Sequence, residues 1–98
     1  MNRDQALDIL RRHQVELSQR GVRRAALFGS TARDQATAES DVDILVELDP
    51  SEPFDVFSYV ALTDFIRDLF PGRVDVANGG ALKPHVRASA QRDAIYAF

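Results

Sequence analysis

Cysteine is absent from the 98 residues, so no disulfide framework and no thiolate metal site can be built. The fold must be held by its core. No stretch approaches the ~20 apolar residues that span a bilayer, and the N-terminal MNRDQALDILRRHQ interleaves charged with apolar residues where a signal peptide would run apolar. A cytoplasmic location is the expectation. A basic excess is missing too: 12 Lys and Arg against 15 Asp and Glu give a net charge of -3, which argues against a broad nucleic-acid-binding surface. Any polyanion handled here should be small, such as a nucleotide. The length predicts one domain over residues 1–98, burying ~60–65% of its unfolded surface around a single core.

Ala6, Leu7, Leu10 and Leu17 recur at helical spacing between a polar start and Gly21, which predicts a first helix over about Arg3 to Gln19. Val22 to Phe28 reads as a buried strand stopped by Gly29, and Ser30 to Gln35 as a short helix. From Val42 to Leu48, the residues Val42, Ile44, Val46 and Leu48 share one strand face, while Asp41, Asp43, Leu45 and Glu47 share the other. The two aspartates therefore point the same way. DPSEP, at 49–53, is a loop by composition. A long helix over Asp55 to Leu69 ends at Pro71-Gly72 and carries a broad apolar stripe, wide enough for a core side and an interface side. Arg73 to Ala77 is a short strand broken by Asn78-Gly79-Gly80. A last helix over Pro84 to Arg92 precedes AIYAF, an edge strand or an ordered tail. The order α-β-(α)-β-α-β-α predicts a mixed α/β or α+β domain.

The chemistry concentrates in GSTARDQATAESDVDILVEL, from Gly29 to Leu48. A Gly-Ser corner between a strand and a helix can seat a phosphate, because glycine permits close backbone approach. Asp41 and Asp43 are hard oxygen ligands on one face and suit Mg²⁺, which takes one or two carboxylates and completes its octahedron with water and nucleotide phosphates. Asp75 offers a third carboxylate on the polar face of another strand. Taken singly, a Gly-Ser corner is often a turn, and an Asp-x-Asp a solvated strand end. Their combination carries the signal, since three neighbouring carboxylates cost several kcal/mol unless water or cations compensate them.

LFGSTARD at 27–34, ESDVDILVEL at 39–48, RVDV at 73–76 and GGALKPHV at 79–86 together resemble the nucleotidyltransferase superfamily of the polymerase-β type. The chain is most similar to its minimal members, the MNT-domain antitoxins that act beside HEPN-domain toxins. The resemblance implies a nucleotidyltransferase fold, a short mixed sheet packed by helices. It also implies that Asp41 and Asp43 are shared by two Mg²⁺ ions, that Asp75 binds the ion that activates the acceptor, and that Gly29 and Ser30 hold the β- and γ-phosphates of ATP. Arg33 matches a position often basic in these motifs and is a phosphate neighbour on this reading. Asp34 departs from the pattern, standing where many relatives have glycine.

Larger nucleotidyltransferases resembling this motif carry a second, helical domain, and the expectation is that a partner protein, a HEPN-type toxin, completes the site. The implied activity is transfer of AMP from ATP to a toxin hydroxyl. Neutralisation by occlusion without transfer is the alternative, and a small-molecule nucleotidyltransferase is a third. His13 and His85 have no acid at ligand spacing and are expected to lie outside catalysis. Tyr59 and Tyr96 are assigned to packing or an interface, and Lys83 to a solvated turn.

Overall fold

The computed structural model describes residues 2–32, 41–51 and 55–98. Helix α1 (Arg3–Arg12) opens on a reciprocal cap: the Gln5 N–H donates to the Asn2 side chain at 2.9 Å and the Asn2 N–H donates to the Gln5 side chain at 3.0 Å. It does not run on to Gln19 but stops, then restarts as α2 (Gln14–Gln19). The break has a local cause at His13. Its ring Nδ1 donates to the Ile9 carbonyl at 2.8 Å, the acceptor its own N–H would use in a continuous helix, and that N–H turns instead to the Leu10 carbonyl at 3.2 Å.

Strand β1 (Val22–Leu27) leads into the short α3 (Gly29–Ala32), and β2 (Val42–Leu48) follows. Helix α4 (Val56–Asp68) then crosses over to β3 (Val74–Asn78), which lies parallel to β2, as a strand–helix–strand unit requires. A 3-10 turn (Gly79–Ala81) and α5 (Pro84–Asp93) precede β4 (Ile95–Tyr96). The AIYAF segment is thus an edge strand, antiparallel to β1, and the sheet order is β3-β2-β1-β4. Asn78 ends β3 and also caps the 3-10 turn, its side chain accepting from the Gly80 N–H at 3.0 Å.

One sheet face, carrying Ala25, Leu27, Val42, Ile44, Val46 and Val74, is buried with Leu7, Leu10 and Leu17 of α1 and α2 and with Leu62 and Ile66 of α4. Each large aliphatic side chain buried there contributes about 1.5–3 kcal/mol relative to exposure. The alternation in β2 places Leu45 on the aspartate face, yet it is fully buried with its partner Ala26. The 3-10 turn explains this, since it lies so close over β2 that a Cβ at Gly79 would stand 3.5 Å from the Leu45 side chain.

The register between β1 and β2 shifts between Val22 and Arg24, so Arg23 is an extra residue and Arg24 stands opposite Glu47. The Arg24 guanidinium sits 3.8 Å over the Tyr96 ring, which ties β4 to the sheet. Burial pushes the Tyr96 hydroxyl pKa up, and the Glu47 carboxylate adds to that rise. On α4, the Asp55 carboxylate accepts from the Ser58 N–H at 2.7 Å, while Val56, Phe57 and Val60 are exposed, Phe57 at 86%. The stripe predicted to have two sides does bury Leu62 and Ile66 and leave an apolar outer face. Among the described residues, no helix is long and apolar enough to cross a membrane.

Candidate functional site

The parallel register sets Asp43 of β2 directly opposite Asp75 of β3. Partners in such a ladder project to the same face from backbones about 4.8 Å apart. Hydrogen bonding therefore holds two carboxylates together that lie 32 positions apart in sequence. Asp41 stands immediately ahead of β2, where the Val42 N–H donates to the Arg73 carbonyl at 3.0 Å as the first rung of the ladder. Asp41 and Asp75 are exposed, and Asp43 is half-buried.

Gly29 closes in from β1. The Phe28 N–H donates to the Asp43 carbonyl at 3.1 Å, continuing the β1–β2 pairing to the end of the strand. The chain then turns with Gly29 at φ +65°, and a Cβ on that residue would stand only 2.6 Å from Asp43 Oδ2. Two separate demands thus fall on one position: a left-handed backbone and no side chain. Ser30 follows in the first turn of α3. Arg33 and Asp34 lie outside the described residues.

Among the described residues, no three His, Asp or Glu side chains gather tightly enough to hold an ion unaided. The donor set nevertheless fits Mg²⁺, which uses one or two carboxylates and takes its remaining oxygens from water and substrate phosphates. Asp43 and Asp75 could offer two hard oxygen donors from adjacent strands. Tyr59 of α4 feels the same site: burial pushes its hydroxyl pKa up, the Arg67 guanidinium opposes the rise, and the Asp75 carboxylate adds to it.

A cleft of about 420 Å³ opens beside Gly29, lined by Phe28, Gly29, His85, Val86, Ser89, Ala90 and Asp93. His85 thus borders the candidate site. No acid at ligand spacing could signal this, because the packing of α5 against α3 brings it there. A larger cavity of about 630 Å³, with Arg23, Glu47, Asp49 and Arg87 among its lining residues, sits at the opposite end of β2, away from the three aspartates.

A family model described as a nucleotidyltransferase domain matches residues 7–97. A Methanocaldococcus jannaschii protein provisionally named a protein adenylyltransferase is 41% identical over 91 residues, covering 91% of each chain. The protein adenylyltransferase MntA of Thermococcus cleftensis is 35% identical over 89 residues, covering 90% of this chain and 88% of its own. A solved structure provisionally named a minimal nucleotidyltransferase superposes with a TM-score of 0.78 at 29% identity, over 97% of this chain and 95% of that one. Two more distant matches show the fold alone. One is a toxin–antitoxin structure with AMP-PNP, with a TM-score of 0.70 at 15% identity over 90% of this chain and 72% of the other. The second is a complex of a tri-AMPylated Shewanella oneidensis HEPN toxin with an MNT antitoxin, with a TM-score of 0.64 at 14% identity over 94% and 71%. With its strand order, its Asp43–Asp75 pairing and a family match over nearly its whole length, the chain belongs to the nucleotidyltransferase domain family.

Proposed function

We propose that this chain transfers AMP from ATP to a hydroxyl of a HEPN-type partner protein and so acts as an antitoxin. The observation that carries the reading is the pairing of Asp43 with Asp75 across a parallel ladder, with Gly29 seated bare against the Asp43 carboxylate. Asp41, Asp43 and Asp75 would hold two Mg²⁺ ions, and Gly29, Ser30 and Arg33 the β- and γ-phosphates. Bound there, the ions supply a lowered pKa for the attacking hydroxyl and positive charge for the leaving pyrophosphate.

The chain's own part is positional. Adjacent strands fix the spacing of Asp43 and Asp75, and the missing side chain at Gly29 leaves room for the Asp43 carboxylate against the turn. The acceptor oxygen bonds to the α-phosphorus, the bond to the bridging oxygen breaks, and pyrophosphate leaves while the hydroxyl proton passes to solvent. Asp75 lies on β3, an edge strand, so its side of the site is open to an acceptor. The exposed apolar face of α4 supports a protein partner. The same face favours a second reading, neutralisation by binding alone, because it needs none of the carboxylates.

The test is intact-mass analysis of the HEPN partner after incubation with this protein, ATP and Mg²⁺. Transfer adds one adenylyl group or more. The Asp41→Asn, Asp43→Asn double variant should still bind the partner and leave its mass unchanged. A partner neutralised at unchanged mass by the parent protein would select occlusion.

A further inference from the structure

We infer that the cleft between Gly29 and α5 receives the nucleoside of the donor nucleotide, and that His85 and Ser89 determine which base is accepted. The inference rests on the nucleotidyltransferase reading and adds to it a specificity site. His85, Val86, Ser89, Ala90 and Asp93 recur at helical spacing, so one face of α5 forms a wall of the cleft and Phe28-Gly29 lies against it. At about 420 Å³ the space is within the range of small-molecule sites.

Its lining is mixed in the way a nucleoside requires. Phe28, Val86 and Ala90 offer apolar surface, while the His85 ring and the Ser89 hydroxyl offer hydrogen-bonding groups on adjacent turns. Val86 is 42% exposed and absent from the core cluster, so interior packing does not account for it, whereas a base laid along α5 would cover it. Position supports the same ligand. Gly29 belongs to the cleft and also lies beside Asp43, whose carboxylate a Cβ at residue 29 would strike, so a group lodged there is continuous with a triphosphate seated at Gly29. Asp75 is on the far side of Asp43, at the β3 edge, which leaves the acceptor a separate approach.

The experiment compares the affinity of the full-length protein, with Mg²⁺ present, for a non-hydrolysable ATP analogue, the matching GTP analogue and inorganic tripolyphosphate. His85→Ala should weaken the ATP analogue about tenfold, the value of one lost hydrogen bond, and narrow the difference between ATP and GTP analogues. Tripolyphosphate affinity should not move. Ser89→Phe, a change at an exposed position, should fill the cleft and weaken the ATP analogue by at least as much, again sparing tripolyphosphate. If the parent binds the ATP analogue and both variants keep its affinity and base preference, the inference is overturned while the nucleotidyltransferase reading stands. If the parent binds neither the ATP analogue nor tripolyphosphate, both fall.

Discussion

The Asp43 carboxylate occupies the space in which any side chain at Gly29 would begin, with Oδ2 at 2.6 Å from the position of a Cβ there. Gly29→Ala must therefore push the carboxylate aside and also hold alanine at φ +65°. Strain of this kind costs about 1–3 kcal/mol. The expected outcome is a lower urea midpoint with an unchanged slope, together with weakened Mg²⁺-dependent binding of ATP analogues. An unchanged midpoint would mean that the backbone at residue 29 relaxes freely.

Asp43→Asn and Asp75→Asn each remove one of two like charges held side by side by the β2–β3 register. For Asp75→Asn, a change at an exposed position, stability should stay level or rise, because repulsion between the paired carboxylates is relieved and no core contact is lost. Transfer should fall by about a hundredfold or more, since metal-held transition-state charge is worth several kcal/mol. Thermal unfolding and transfer assays on the same preparations separate the two effects.

Leu45→Ala tests the burial of the aspartate face. Leu45 is fully buried against Ala26 and the 3-10 turn, so truncation should cost about 2–5 kcal/mol. A loss below 1 kcal/mol would show that the turn does not pack as described. Chemical denaturation at neutral pH is the measurement.

Acid sensitivity should depend in part on Asp55. The Ser58 N–H holds its carboxyl pKa below the usual 3.8, so the folded state prefers the charged form. The cap's contribution is fully present above that unfolded value and is lost as pH falls through the lower, folded one. Thermal unfolding from pH 5 down to pH 3 should show a steeper loss in the parent than in Asp55→Asn, which keeps a capping side chain but has nothing to titrate. Parallel curves would remove Asp55 from the account.

Much of this was legible because periodicity reports local faces. The alternation Val42-Asp43-Ile44 separates core from site, and the breadth of the stripe on α4 accommodates an exposed Val56 and Val60 beside a buried Leu62 and Ile66. What alternation cannot report is what covers a face: Leu45 counts as polar-side by pattern and is buried because a distant turn lies on it. The split of the first helix was hidden for a similar reason, since it depends on one ring nitrogen of His13 taking a carbonyl from the backbone. The partnership of Asp43 with Asp75 followed from the motif, but its one-to-one register is a property of the parallel ladder. His85 shares a cleft with Gly29 only through the docking of α5, and no spacing near residue 85 encodes that placement.

The most direct test of nucleotidyl transfer uses two preparations of ATP, one labelled at the α-phosphate and one at the γ-phosphate, each incubated with this protein, Mg²⁺ and the HEPN partner. The partner should acquire the α-label and not the γ-label, and Asp43→Asn should abolish the incorporation. Labelling from the γ-phosphate, or α-labelling that survives Asp43→Asn, would contradict nucleotidyl transfer at this site.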